Sequence, residues 1–227
     1  MRKKIVDKII AAIMTAAAVL SLSGCKKDNG AMRDITTVEV VKEMGYGINL
    51  GNTMECAGDV YSTDVSRYET LWGSPIITQQ CIQGYADAGF GVLRIPVTWS
   101  NILYDDGNYT IYPDYITRVK EIVDWTLDTG MYAIINMHHD SFVNDFPENE
   151  EECMRRFKLM WTQVADAFKD YDDKLMFECQ NESLGWESMW NRWAGEEGED
   201  KQAAYDLVNK VNQAFVDVVR SSGGNNP

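Results

Sequence analysis

Polar and ionisable side chains recur at four places in the sequence, each at or just after the end of a short apolar run. They are, in chain order, Asn49, Asn52 and Glu55, then Arg94, then Asn136, His138, His139 and Asp140, and then Asn181 and Glu182. A carboxyl or an imidazole can transfer a proton, and a guanidinium can bind a carboxylate. No single one of these residues would indicate a site. In parallel α/β folds, however, the carboxyl ends of the strands form one rim where ligands bind, so the repetition predicts a functional site there.

The adjacent His138 and His139 are the only histidines of the chain and allow two other interpretations. They could form a hydrogen-bonded pair in the core, or they could hold a metal ion together with Asp140. Adjacent side chains on an extended backbone point in opposite directions, so one ion would need further ligands from elsewhere. We therefore predict no metal site, and a metal-dependent barrel hydrolase is kept as an alternative.

Structural roles are also open for the charged residues of the second and fourth groups. Arg94 could form a structural ion pair, and Glu182 could cap the turn that follows it. Glu178 alternates with Glu182 along the chain, so both side chains could face inward. We expect Glu178 to be a packed polar group of the interior rather than a reacting group.

Tryptophans lie in or near the segments that follow the apolar runs: Trp72, Trp99, Trp186, Trp190 and Trp193. An aromatic face suits the flat C–H surface of a sugar ring, although ordinary packing explains a single tryptophan equally well. Three tryptophans lie within the eight residues 186–193, and this density of aromatic side chains favours a sugar contact there. We predict that Trp99 and Trp186 bind substrate.

The elements that must position these residues alternate between strand and helix. The strands are expected at Gly45–Leu50, Val92–Ile95, Tyr132–Asn136 and Leu175–Phe177, and the helices at Thr78–Ala88, Pro113–Thr129, Glu150–Phe168 and Lys201–Arg220. In the last helix, Tyr205, Val208 and Val211 should share a buried face with Phe215 and Val218. Four such units predict an α/β protein with a parallel sheet, either an open doubly wound sheet or part of an eight-stranded barrel. No glycine-rich nucleotide-binding motif follows any strand.

The first 25 residues have the pattern of an export signal. Basic residues at positions 2–8 precede an apolar run, and Leu22–Cys25 resembles a bacterial lipoprotein box. We predict lipidation of Cys25, with an ordinary signal peptide cut nearby as the alternative, then a polar tether at 26–36 and a folded domain at 37–227. Export permits disulfides among Cys56, Cys81, Cys153 and Cys179, and free thiols are equally compatible with the sequence.

The composition excludes several other classes of protein. Of the 227 residues 45% are hydrophobic and 25% are charged, which is typical of a globular chain with at most one apolar stretch able to enter a bilayer. The formal net charge of −14 repels phosphate backbones, so nucleic acid is not expected as a partner.

Five motifs in this order resemble glycoside hydrolase family 5, above all its bacterial endo-β-1,4-glucanases. They are the segments 47–55 (GINLGNTME), 72–75 (WGSP), 89–99 (GFGVLRIPVTW), 130–140 (GMYAIINMHHD) and 177–182 (FECQNE). The resemblance covers the chain from about Met44 onward. It implies a (β/α)8 TIM barrel and a retaining mechanism with two carboxylates, without a cofactor, acting on a β-glucan.

The resemblance also implies the roles of individual residues. Glu182 would be the general acid/base, Asn181 would bind the sugar 2-hydroxyl, and Arg94 would hold the nucleophilic carboxylate. Other sugar hydroxyls would be bound by His138, His139, Asn52 and Glu55.

The length departs from the family, because only about four of the eight β/α units are expected here. The family's nucleophile is a Glu after the seventh strand, and nothing in residues 183–227 resembles that motif. We therefore expect the N-terminal half of a catalytic domain, inactive by itself and monomeric when full length, in which Arg94 has lost its carboxylate partner. Alternatives are another specificity within the family (xyloglucanase, mannanase, lichenase or xylanase) or a non-catalytic glucan-binding lipoprotein on the cell surface.

Overall fold

A computed structural model describes residues 33–182, 201–222 and 224. The predicted export signal, the lipidation site Cys25 and the predicted substrate contact Trp186 lie outside the described residues. In the part of the chain that is described, no helix is both long enough and apolar enough to cross a bilayer.

The centre of the fold is one sheet of four parallel strands. The strands are β1 (Gly47–Asn49), β2 (Val92–Ile95), β3 (Tyr132–Asn136) and β4 (Leu175–Glu178), and they lie in the order β1-β2-β3-β4. A doubly wound sheet reverses its strand order at a switch point, whereas here each strand pairs with the next one in sequence. The doubly wound alternative is therefore wrong, and the arrangement is that of consecutive units of a barrel.

Helices cover the outer side of this sheet. They are α1 (Thr37–Met44), α2 (Ser66–Glu69), α3 (Gln79–Asp87), α4 (Pro113–Asp128), α5 (Glu150–Phe168) and α6 (Lys201–Ser221). The four predicted helices are confirmed to within one residue at each end. Pro113 occupies the first turn of α4, where a missing N–H is harmless, and Gly130 follows the end of that helix with a φ of +90°. Short 3₁₀ turns at Trp99–Asn101 and Ser141–Asp145 follow β2 and β3.

The buried face of α6 is as predicted at Val211, and Val208, Phe215 and Val218 are partly buried against the core, but it differs at Tyr205. Tyr205 is 47% exposed, whereas Ala204, Leu207, Val211 and Ala214 are buried. The packing of α6 against α5, where the rings of Phe215 and Trp161 lie 4.6 Å apart, selects a face that includes the small alanines. The sequence pattern, which weights large apolar residues, favoured Tyr205 instead.

The alternation of side chains along the strands separates the core from the site. Leu93, Ile95, Ala133, Ile135 and Leu175 are fully buried beneath the helices. Burying each large apolar side chain of this kind contributes roughly 1.5–3 kcal/mol.

The opposite face of the sheet carries Asn49, Arg94, Ile134 and Met176, which are aligned by the register of the strands. Residues two positions further along a strand point to the same side. Polar residues that follow this alternation therefore gather at the carboxyl ends of the strands.

The predicted tether extends too far into the chain. Arg33 donates to Asp173 Oδ2 at 2.9 Å, to the Tyr132 hydroxyl at 2.6 Å and to Glu43 Oε2 at 2.9 Å. Thr36 caps α1 through a reciprocal pair of hydrogen bonds with Glu39. The folded domain therefore includes residues 33–36.

All four cysteines of the folded part are free thiols. Cys56 and Cys153 are buried, Cys179 is half-buried and Cys81 is exposed. The disulfide alternative is therefore wrong for these residues.

Gly91 is the point where α1 meets the start of β2. A Cβ at Gly91 would lie 2.1 Å from the Met44 carbonyl oxygen and 3.3 Å from that of Glu43, so Gly91→Ala must displace backbone. We predict that this substitution lowers the free energy of unfolding by about 3 kcal/mol, measured by urea denaturation. Gly84→Ala is the matched control, because Gly84 lies within α3 with no neighbouring atom near its Cβ. It should raise stability by about 0.5–1 kcal/mol, and equal unfolding midpoints for the two variants would contradict the close approach.

Candidate active site

A charged network joins the ends of three strands at the carboxyl rim. The Arg94 Nε donates to Glu178 Oε2 at 2.7 Å, and its Nη2 donates to Glu178 Oε1 at 2.5 Å. The same Nη2 donates to Asn181 Oδ1 at 3.1 Å, and Nη1 reaches Asn49 Oδ1 at 3.5 Å. Arg94 thus forms the ion pair that its structural interpretation predicts, with Glu178 as the carboxylate partner inside the chain.

The electrostatics of this pair keep both partners charged. The hydrogen bond with Glu178 raises the pKa of Arg94 above its ordinary value. Burial alone would disfavour the Glu178 carboxylate, but the hydrogen bonds from Arg94 and Asn136 outweigh it and hold the pKa of Glu178 below its usual range. A carboxylate with both oxygens engaged agrees with the expected interior role of Glu178.

His138 is positioned by the last residue of β3. The Asn136 amide oxygen accepts from the Val97 N–H at 3.2 Å, and Nδ2 lies 3.1 Å from both Glu178 Oε1 and His138 Nδ1. Burial, with the neighbouring His139 and the positive Arg94, lowers the pKa of His138 to about 4, although Glu178 opposes this shift. His138 is therefore a neutral imidazole near pH 7.

Asn181 and Glu182 follow β4 in a tight bend. The Asn181 N–H donates to the Met137 carbonyl at 2.7 Å, which ties this bend to the end of β3. Glu182 has a φ of +57°, in the left-handed region that non-glycine residues rarely adopt and that often marks functional positions. The residue is exposed and lines a cavity of about 430 Å³ together with Glu178, Gln180 and Tyr205. Solvent therefore reaches Glu182 at the rim that Arg94 and His138 occupy.

Glu55 holds the loop after β1 and is not placed to contact a ligand. It is 4% exposed, and its two oxygens accept from the Asn52 N–H at 2.5 Å and the Thr53 N–H at 2.9 Å. The prediction that Glu55 binds sugar is therefore wrong. Asn52, which the carboxylate holds at a φ of +59°, is exposed at the rim as expected for a binding residue.

Trp99 belongs to the core. It is 0% exposed, its indole N–H donates to the Asn136 carbonyl at 2.8 Å, and its ring meets those of Tyr115 and Phe168 edge-on. The predicted sugar contact of Trp99 is therefore wrong. The buried residues Val97 and Thr98 show that the apolar run continues past β2 into this packing.

His139 and Trp72 form an exposed aromatic pair on the other side of the rim. Their ring centroids lie 5.5 Å apart, Trp72 is 44% exposed, and the Trp72 indole N–H donates to the Ala57 carbonyl at 3.2 Å. A cavity of about 1060 Å³ adjoins His139 and is lined by residues 57–63 and by residues of the segment 98–103. Trp72 is thus a rim residue beyond the predicted set, and its position in the WGSP motif is the sequence signal for it.

Asp140 is separated from the two histidines by its own hydrogen bonds. Its carboxylate accepts from the backbone N–H groups of Trp99 at 3.2 Å and Ser100 at 2.6 Å, and burial raises its pKa. Asp140 therefore does not join His138 and His139 as a metal ligand, so that alternative is wrong. Across residues 33–182 and 201–222, no group of three His, Cys, Asp or Glu side chains could hold a metal ion.

A sheet of consecutive parallel β/α units, with Arg94, His138, Asn181 and Glu182 at its carboxyl rim, has the arrangement of a barrel-type enzyme with its site at that rim. The family model for cellulase (glycosyl hydrolase family 5) matches residues 56–227. The chain therefore belongs to glycoside hydrolase family 5, and its four β/α units are part of the family's TIM barrel.

Several relatives are similar over most of this chain. Endoglucanase B of Clostridium cellulovorans is 39% identical over 196 residues, which are 86% of this chain and 41% of that protein. Endoglucanase B of Ruminococcus albus is 39% identical over 199 residues, or 87% of this chain and 46% of that protein. The chain thus spans less than half the length of these two curated relatives.

Solved structures agree with this placement. A broad-specificity endoglucanase from Clostridium longisporum superposes with a TM-score of 0.75 at 37% identity, covering 86% of this chain and 54% of that one. A family 5 glycoside hydrolase from Prevotella bryantii B14 superposes with a TM-score of 0.76 at 35% identity, covering 86% of this chain and 56% of that one.

Because His138 is neutral in the folded protein, the free energy of unfolding should depend on pH in the acid range. An unfolded histidine titrates near 6.5, whereas the native pKa is about 4, so the unfolded state binds more protons between these values. This contribution to stability is fully present above about pH 6.5 and is lost as the pH falls through 4. We predict that His138→Asn loses less free energy of unfolding than the wild type between pH 7 and pH 4.5, measured by urea denaturation. Identical losses would show that His138 is not held neutral.

Proposed function

We propose that this chain carries the acid/base half of a retaining endo-β-1,4-glucanase. The observation that supports it best is the placement of Glu182, which is exposed to a cavity beside Asn181, while Asn181 is hydrogen-bonded to Arg94. In the first step Glu182 donates its proton to the glycosidic oxygen as the bond to the leaving sugar breaks, while the nucleophilic carboxylate, proposed below to lie outside these residues, bonds to the anomeric carbon. In the second step it takes a proton from the water that releases the remaining sugar.

The other rim residues bind and orient the sugar at the bond that breaks. Asn181 binds the 2-hydroxyl, and the neutral His138 hydrogen-bonds to a neighbouring hydroxyl without adding charge. Asn52 and His139 bind the sugars next to it, and Trp186 is proposed to add an aromatic contact. The Trp72–His139 pair extends this surface toward the cavity of about 1060 Å³.

The nucleophile is proposed to come from a part of the barrel outside these 227 residues. In a retaining site the two carboxyl groups lie about 5–5.5 Å apart. Arg94 uses Nε and Nη2 on Glu178, and its Nη1 makes only the long contact with Asn49 among the described residues. Nη1 is thus the donor available to a second carboxylate.

The proposed substrate is a β-1,4-linked glucan, because the similar proteins are named endoglucanases. One structure of the Prevotella bryantii enzyme, an E280A mutant, contains a xyloglucan tetradecasaccharide, so a branched glucan is within the proposed class. We also propose export, with a lipid anchor at Cys25, and a monomeric complete enzyme that does not bind nucleic acid.

The first test is the DNA downstream of the codon for Pro227. An in-frame continuation that encodes a further Glu motif supports the enzyme. We predict that the 227-residue chain alone releases no reducing sugar from carboxymethyl cellulose, and that the continuous protein does. A stop codon together with retention on cellulose would support the glucan-binding lipoprotein instead.

The role of Glu182 is tested in that continuous protein. Glu182→Gln keeps the shape of the side chain but cannot donate and regain a proton, so we predict a loss of about 10²–10⁴-fold in kcat on β-glucan. Glu151→Gln, at an exposed position of α5, should keep wild-type activity. Equal activity of the two variants would refute the assignment, and cleavage of mannan without cleavage of β-glucan would refute the proposed substrate.

A further inference from the structure

Asn136 occupies an unusual position for a polar side chain. It ends β3 opposite Glu178, its exposed fraction is 0%, and both atoms of its amide group are used. Oδ1 accepts from the Val97 N–H after β2, and the two hydrogens of Nδ2 face Glu178 on β4 and His138 after β3. One buried amide therefore connects segments from three strands.

The orientation of this amide follows from its partners. A backbone N–H such as that of Val97 can only donate, so the atom facing it is the amide oxygen. The Glu178 carboxylate is paired with Arg94 and can only accept, so the atom facing it is the amide nitrogen. Rotating the amide by 180° would place its N–H groups against the Val97 N–H, and its oxygen against the Glu178 carboxylate oxygen. Both contacts would be repulsive.

The orientation of Asn136 fixes the proton of His138. Because Nδ2 donates, His138 Nδ1 must accept, and a neutral imidazole then carries its single proton on Nε2. The groups that face His138 are the His139 ring, at 4.5 Å between centroids, together with the Arg94 guanidinium and the Glu178 carboxylate. None of them supplies an alternative donor to Nδ1 among the hydrogen bonds of the described residues.

We propose that Asn136 is a positioning residue of the active site: its buried amide fixes His138 as the Nε2–H tautomer and holds Glu178 for Arg94. Its own side chain is fully buried and so offers no surface to a ligand. The consequence is that His138 presents a hydrogen-bond donor, rather than an acceptor, through Nε2. The catalytic importance of this tautomer rests on the function proposed above, whereas the tautomer itself does not.

The proposal is tested in the protein that carries this chain within a complete barrel, with the ring signals of His138 assigned through bonds to its own backbone; His138 and His139 are the only histidines of these 227 residues. Two-bond ¹H–¹⁵N spectra of ¹⁵N-histidine-labelled protein distinguish the two tautomers. At pH 7 the wild-type His138 should show only the Nε2–H form. An Nδ1–H form, or a mixture of both, would overturn the proposal without any variant.

Asn136→Asp reverses the hydrogen bond while preserving the shape of the side chain. The introduced carboxylate can only accept a hydrogen bond, so Nδ1 must carry a proton and His138 should convert to the Nδ1–H or doubly protonated form. An opposite charge at this distance should also raise the pKa of His138 by about 1–3. Asn101→Asp is the matched control: Asn101 is half-buried and donates to the carbonyl of Cys56 and the hydroxyl of Tyr115, not to His138. It should leave the spectrum and the pKa of His138 unchanged.

An unchanged tautomer and pKa in a folded Asn136→Asp protein would overturn the proposal. If that variant does not fold, Asn136→Leu removes the donor at similar volume, and its His138 should populate both tautomers. A single Nε2–H form in folded Asn136→Leu would likewise overturn it. These spectra involve no sugar cleavage, so failure of the proposed glucanase activity and failure of the positioning role are separate results.

Discussion

The ion pair between Arg94 and Glu178 is the interaction on which the rest of the site depends. It joins β2 to β4 across the inner face of the sheet, and Asn49, Asn136 and Asn181 hydrogen-bond to one or the other partner. A half-buried charge pair is stable only when its remaining donors and acceptors are also satisfied. The amides of Asn136 and Asn181 supply two of those hydrogen bonds, and Nη1 of Arg94 makes only the longer contact with Asn49, so a polar layer with one open donor lies at the carboxyl ends of the strands.

This polar layer explains how the exposed residues acquire their geometry. Arg94 holds the side chain of Asn181, and the Met137 carbonyl holds its backbone, so the bend that carries Glu182 is attached at two points. The loops after β1 and β2 are fixed by buried carboxylates, Glu55 and Asp140, which accept backbone N–H groups instead of facing solvent. The residues proposed to contact a ligand are thus separate from the residues that shape the loops, although both kinds are polar and follow strands.

The sequence predicted the elements well and the side-chain directions less well. Strands β2 and β3 and helix α5 have the predicted bounds, because apolar periodicity and flanking polar residues mark them. Helices α1 and α2 were missed, since α1 buries no residue and α2 has only four. The assignments of Trp99 and Glu55 failed because a motif shows that a residue is near the rim and not which way it points. The pairing of Arg94 with Glu178 spans 84 positions and depends on strand order, which a single sequence does not show.

The central claim is that Glu182 donates a proton to the leaving sugar, and leaving-group dependence tests it most directly. In the protein that carries this chain within a complete barrel, the rates of Glu182→Ala and wild type are compared on aryl cellobiosides with phenols of different acidity. A dinitrophenolate leaves without protonation, so the account predicts near wild-type bond cleavage for that substrate and a loss that grows steadily as the phenol becomes less acidic. An equal loss for every leaving group would contradict the assignment of Glu182 as the proton donor.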